Sequence, residues 1–300
     1  MWEVRRLRLL RELSVRGTIA AVADAMHQSP SSVSQQLTQL EREVGLPLLR
    51  KSGRGVQLTP EAEILVEHTE AILQRLELAE SHVLKLVNEP VGTVRLAIFQ
   101  SAALALIPRT LAQLRARHAG LRVTVTQREP ETALLETFAR DFDLVVAEQY
   151  PGHAAPWHRE LDRDALVQDS IRLAVPAEWT GIESLAGAAD VPWVAEPHGA
   201  ASRHYAEQTC RLAGFDPDVR YETADLQVHV ALIASGNAVA LMPGLMWQGQ
   251  PHPAVRLIEL PGRPRRTVFT AARRSTTARP SVVAVRAALQ EAARGLAPEN

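Results

Sequence analysis

Apolar side chains recur every three or four residues through the first part of the chain. Val4, Leu7, Leu10 and Leu13 share one helical face, and Gly17 ends that helix. Thr18 has the chemistry of an N-cap for a second, alanine-rich helix, IAAVADAM. After a tight turn, Ser29 and Pro30 suit the N-cap and first position of a third helix. That helix buries Val33, Leu37, Leu40 and Val44 and turns Ser31, Ser32, Ser34, Gln35, Gln36 and Thr38 outward. Further on, LLRKSGRGVQLT predicts a β-hairpin, with Gly53 and Gly55 in its turn and Lys51 and Arg54 near the tip.

Thr59 and Pro60 then predict the start of a long helix, with Glu61 and Glu63 at the positive end of its dipole. Leu65, Ile72, Leu76, Ala79, Val83 and Leu86 recur on it with coiled-coil spacing, and His68 falls on the same seam as a partly buried structural residue. Such a seam, flanked by two domains, predicts contact with a second copy of the chain. Pro90 and Gly92 punctuate the sequence, and the period changes. TVRLAIF, LRVTVTQRE and FDLVVAE read as strands separated by the helices ALIPRTLAQLRARH and ALLETFAR. A second set follows YPGHAAPWH, and a return strand RRTVFTAAR precedes a final helix from about Ser281 to Gly295. Strands alternating with helices imply parallel βαβ units.

The expected architecture is therefore an N-terminal all-α winged helix-turn-helix over residues 1–59, a linker and dimerisation helix over 60–90, and a two-lobed α/β domain over 91–300. The first lobe takes in about 91–167 and 264–300, and the second about 168–263. A length of 300 residues suits two or three compact domains.

Composition narrows the function. The net charge is -1, so affinity for nucleic acid has to come from local charge, and the first section is locally basic. Between Pro60 and Asn88 the sign reverses. The single cysteine, Cys210, excludes an internal disulfide framework, suits a reducing cytosol and reads as a small packing residue. No run approaches the roughly 18 apolar residues of a membrane span, and the N-terminus lacks the pattern of a secretory signal, so a cytoplasmic protein is expected. The chain has no G-x-S-x-G elbow, phosphate loop, G-x-G-x-x-G or H-E-x-x-H, which argues against an enzyme and calls for no metal or other cofactor.

Two short helices joined by a tight turn, the second bearing short uncharged polar groups, describe a DNA reader. Serine and glutamine can meet base edges and phosphate oxygens in a major groove, and glutamine can pair with adenine through two hydrogen bonds. Ala21 to Ala25, Ser29 to Ser34, Leu40 to Glu41, Val44 to Gly45, Leu48 to Leu49 and Leu58 to Thr59 match the N-terminal signature of one family. On these residues the chain resembles the LysR-type transcriptional regulators.

The resemblance implies binding to double-stranded promoter DNA through Thr18, Pro30, Ser31, Ser32, Ser34, Gln35, Gln36, Lys51 and Arg54. It also implies a small-molecule effector held between two lobes, and assembly as dimers or dimers of dimers, with RNA polymerase a further candidate partner and no membrane. Departures fall at Pro30, where many members carry glutamine, at Gln35, where arginine is frequent, and at Leu49 to Lys51, which replace Phe-Glu-Arg. They bear on the base sequence preferred, since one such contact changes discrimination by about 1–3 kcal/mol.

Unpaired N–H groups at helix N-termini place candidate effector contacts at Gln100, Ser101 and Ala102, and at Pro197, His198, Gly199 and Ser202. Glu148, at the end of FDLVVAE, is a further candidate. A Glu148 pointing inward favours an amino or guanidino ligand, because an unpaired buried carboxylate is costly. The rival function is a two-lobed solute-binding or sensor protein without a transcriptional role, against which the basic winged helix speaks.

Overall fold

A computed structural model describes residues 1–53, 55–86, 89–248 and 252–296. The chain divides into two compact units, Met1–Leu86 and Val87–Asn300.

In the first unit, α1 (Val4–Arg16), α2 (Ile19–Ala25) and α3 (Pro30–Val44) precede a hairpin of β1 (Leu49–Ser52) and β2 (Gly55–Leu58) and the 25-residue α4 (Pro60–Leu84). The expected caps form. Thr18 Oγ1 accepts from Ala21 N–H at 3.1 Å, Ser29 Oγ from Ser32 N–H at 3.2 Å, and Thr59 Oγ1 from Ala62 N–H at 3.3 Å, each worth about 1 kcal/mol. Gly17 closes α1 at φ 75, a left-handed conformation in which a Cβ would be strained. Val33, Leu37 and Leu40 are fully buried, each contributing roughly 1.5–3 kcal/mol, while Val44 is half-buried.

Two details depart from the sequence pattern. Val4 is exposed and Leu9 is buried, because α1 packs against α4 as well as α2 and α3 and so buries more than one stripe. The second contact also accounts for two ionic residues in the interior. Arg11 donates to Glu70 of α4 at 2.8 Å and to Glu12 at 3.0 Å, and Glu12 in turn accepts from Arg16 at 2.8 Å. The helix expected as a separate linker domain is thus part of the first unit. Leu65 joins the core there, leaving Ile72, Leu76, Val83 and Leu86 of the seam exposed, and His68, expected partly buried, is exposed as well.

The second unit contains β3 (Gly92–Ile98), α5 (Gln100–Arg117), β4 (Leu121–Gln127), α6 (Pro130–Phe138), β5 (Leu144–Gln149) and β6 (Asp164–Pro176). Then come β7 (Pro192–Ala195), α7 (Ala201–Leu212), β8 (Asp218–Glu222), α8 (Leu226–Ala234), β9 (Ala240–Pro243), β10 (Val255–Glu259), β11 (Arg265–Ala271) and α9 (Pro280–Arg294). Only part of this is parallel. β3 pairs in parallel with β4 and β5, and β7 with β8, but β11 runs antiparallel to both β5 and β6, and β6 is antiparallel to β9 and β10. The polypeptide crosses between lobes twice, through β6 and β11, and crossing strands of opposite direction give a mixed sheet. β10 had no counterpart in the strands expected. Each lobe keeps its own core: Leu96, Ile98, Leu106 and Leu289 in the first, Leu173, Trp193, Cys210 and Val239 in the second.

Candidate functional site

The outward face of α3 is made of Ser31, Ser34, Gln35 and Thr38, all exposed, with Pro30 exposed at its first turn. Ser32 and Gln36 are half-buried, because Gln28 gathers them. Its Oε1 accepts from Gln36 Nε2 at 2.8 Å, and Gln36 Nε2 also donates to Ser32 Oγ at 3.2 Å. These two residues therefore brace the turn, and Gln28, which the sequence pattern did not single out, is the brace. Ser29 and Ser31 hydroxyls lie 3.0 Å apart.

Glu41 fixes the hairpin to α3 by accepting from the backbone N–H groups of Leu48 and Leu49 at 2.9 and 3.0 Å. Lys51 is exposed on β1, at the wing. Arg54 lies outside the described residues. Thr18 is occupied as a cap and remains exposed.

In the second unit a cavity of about 30 Å³, room for a water molecule or two, opens between the lobes. Among its walls are Phe99, Gln100 and Ser101 of the first lobe, Glu148 of β5 and Tyr150 just beyond it, Glu196, Ser202 and Arg203 of the second lobe, His229 of α8 and Arg266 of β11. Arg266 is the hub. Its Nε and Nη2 meet Asp169 at 2.7 and 2.6 Å, Nη2 donates to Ser101 Oγ at 2.7 Å, and Nη1 reaches Tyr150 Oη at 3.3 Å and Glu148. Phe99 lies beneath the guanidinium, 5.1 Å from it to the ring centre. The cationic state of Arg266 is held firmly, against the cost of burial, by Glu148 and Asp169.

The carboxylates respond oppositely. Burial pushes Glu148 up to about 8; Arg266 pulls it down, and Glu196, Asp169 and Glu129 push it up again. Burial likewise raises Glu196 to about 7, against a hydrogen bond from Ser202. Glu129, at the start of α6, is raised by burial and by its neighbour Glu131.

Gln100 crosses the cleft. Its Nε2 donates to Asp225 Oδ1 at 2.7 Å, and its Oε1 accepts from Leu226 N–H at 2.8 Å, so a side chain from the start of α5 caps α8 of the opposite lobe.

Gln100, Ser101, Glu148 and Ser202 are thus brought together, and the other candidates are not. Ala102 is fully buried in the core of the first lobe, since the second residue of α5 after Gln100 turns inward. Pro197, His198 and Gly199 form a turn closed by Ala200 N–H to Pro197 C=O at 3.1 Å, with Gly199 at φ 98, which carries them off the cavity wall. Arg266, Glu196, Glu129, Tyr150, Arg203 and His229 were missed. Of these, only the pair of basic residues opening RRTVF was visible as a charged start to an otherwise apolar strand.

The family model described as "Bacterial regulatory helix-turn-helix protein, lysR family" matches residues 4–63, and "LysR substrate binding domain" matches 88–294. The chain belongs to the LysR family. Among the relatives of this LysR-type regulator, the transcriptional dual regulator GltC of Bacillus subtilis (strain 168) is 25% identical over 241 residues, covering 80% of each chain. A full-length OxyR variant from Pseudomonas aeruginosa shares the fold with TM-score 0.71 at 16% identity, over 100% of this chain and 99% of that one. CbnR in complex with its target DNA does so with TM-score 0.53 at 19% identity, over 98% and 99%.

The LysR-type chain is accordingly a transcriptional regulator with a DNA-binding helix-turn-helix and an effector-binding domain, and not an enzyme. Among the described residues no helix is long and apolar enough to cross a membrane.

Proposed function

We propose that this regulator reads promoter DNA through Ser31, Ser34 and Gln35 of α3, with Lys51 on phosphate, and that a small molecule bound around Arg266 controls it. The observation that carries the DNA assignment is the exposed, uncharged face of α3, capped at Ser29 and held beside a wing bearing Lys51. Ser32 and Gln36 act chiefly by keeping the turn rigid. The exposed stripe Ile72, Leu76, Val83 and Leu86 on α4 pairs with a second copy, giving a dimer able to address two half-sites. The cytoplasm is the compartment, and RNA polymerase is a further partner.

Effector control works through the lobes. A ligand that binds one lobe arrangement better than another shifts the population toward it, and Gln100 is the side chain whose bonds across the cleft change with that arrangement.

The test is fluorescence anisotropy with DNA from just upstream of the gene, across a salt series and against unrelated DNA. Gln35→Ala should narrow the preference by about 1–3 kcal/mol. Lys51→Ala should weaken binding to all sequences alike and lower the salt slope by about 1. Equal affinity for both DNAs in the parent, with Gln35→Ala unchanged, overturns the assignment of α3.

A further inference from the structure

The cavity is unusual in which of its hydrogen-bonding groups are spoken for. A guanidinium has five N–H donors. Those of Arg266 are taken by Asp169, Ser101, Tyr150 and Glu148, so none is left for an incoming anion. Arg203, the other cation on the wall, is directed at Glu207, Glu222 and the carbonyl of Glu196.

Three side chains on the wall keep an acceptor to spare, while the hydroxyls of Tyr150 and Ser101, which accept from Arg266, each keep a proton to donate. Glu148 meets Arg266 through one carboxylate oxygen, and Glu196 meets Ser202 through one of its own. His229 is 2% exposed and its Nε2 lies 2.9 Å from the carbonyl of Thr223, which can only accept. Nε2 therefore carries the ring proton, burial keeps the ring neutral, and the buried Nδ1 is left as an acceptor without a partner. An unsatisfied buried acceptor costs free energy until a donor arrives.

We propose that this cavity receives the cationic, donor-rich end of the effector, a primary ammonium or a guanidinium, with Glu148 and Glu196 as its anionic partners and Glu129 at the edge. The inference rests on the assignment of the cavity as the effector site. Among the described residues no group of three or more His, Cys, Asp or Glu is placed to hold a metal ion, so the fit is to an organic cation. A volume of about 30 Å³, room for a water molecule or two, matches a primary ammonium, and a guanidinium enters only as the lobes shift apart, the body of either ligand staying outside the cavity.

The charge state supports the same partner. Glu148 is surrounded by Arg266, Glu196, Asp169, Glu129 and Tyr150, and Glu196 by Ser202, Glu129, Arg266 and Glu131, with neutral His229 nearby. With these two carboxyls near 8 and 7, a cation binds best once they have ionised, and its affinity rises from pH 6 to pH 8.

The experiment is calorimetric titration of the full-length protein at pH 6 and pH 8 with three probe sets. Putrescine, agmatine and methylguanidine are the cations, succinate and benzoate the anions, and erythritol the neutral control. The expected result is saturable binding of at least one cation, at least tenfold tighter at pH 8, and weakened at least tenfold by Glu196→Gln. Among the described residues the Glu196 side chain is bonded to Ser202 alone, so Glu196→Gln keeps the test meaningful if Glu148→Gln fails to fold. Ala206→Trp, which fills the cavity, should abolish binding.

Failure of all three cations, or cation binding indifferent to pH and to Glu196→Gln, overturns the proposal. If an anion or erythritol binds instead and Ala206→Trp removes it, the effector site stands and only its ligand class falls. If no probe binds and Ala206→Trp also leaves a promoter reporter in cells responding as the parent does, the effector-site assignment falls with it.

Discussion

Replacing Arg266 by methionine, similar in length and uncharged, should destabilise the effector-binding domain severely. Arg266 is 2% exposed and Asp169 1% exposed, so the substitution strands a carboxylate where water does not reach it. Asp169 would keep the Leu245 N–H at 2.8 Å, but lose both contacts to the guanidinium. Removing one partner of such a pair costs about 3–5 kcal/mol. Glu148, already pushed up to about 8, can take a proton near neutrality and escapes most of the penalty; Asp169 bears it. For a domain of this size the loss corresponds to a fall in Tm of roughly 6–20 °C.

Urea unfolding of the whole chain, followed by tryptophan fluorescence, reports chiefly on this domain, because Trp157, Trp179, Trp193 and Trp247 lie within it and only Trp2 lies outside. Adding Asp169→Asn should recover at least about 1.5 kcal/mol, since the two side chains are directly coupled. A loss below about 1 kcal/mol in Arg266→Met, or no recovery in the double variant, would refute the role of this pair.

Other outcomes follow from the same geometry. Ser29→Ala removes the cap of α3 and should cost the first unit about 1 kcal/mol in a thermal melt, with weaker promoter binding as its companion. Leu76→Glu places a charge in the exposed stripe of α4 and should shift the protein toward monomer in analytical ultracentrifugation. Glu148, whose folded value near 8 stands above the ordinary 4.5, contributes stability that is complete below 4.5 and is lost as pH rises through 8. Between pH 6.5 and 8.5 that loss is about 2 kcal/mol. Glu148→Gln should flatten the decline of Tm over this window, and a parallel decline in both proteins would show that another group is responsible.

The first unit was largely legible in its sequence because its determinants are local. Thr18, Ser29 and Thr59 cap helices whose first turns follow them directly, and Val33, Leu37 and Leu40 advertise a face by spacing alone. Leu9 was not legible, since its burial depends on α4, which lies far along the chain. The cavity shows the same limit more sharply. Arg266 reaches Asp169, Glu148 and Ser101 from 97, 118 and 165 residues away, distances over which no periodicity in the sequence speaks. Gln100 and Ser101 could be named because a strand giving way to a helix marks a cleft, whereas Pro197 to Gly199 obeyed that rule in sequence and were turned aside by a local loop.

Cys210 offers a measure of motion that requires no introduced label. It is the chain's one cysteine, fully buried among Trp193, Val239 and their neighbours, with its thiol pushed up to about 12 by burial. A thiol reagent can reach it only when the second lobe opens, so the rate of modification clocks the breathing of that lobe alone. Any molecule that clamps the lobe will slow the clock, and one that loosens it will make it run fast.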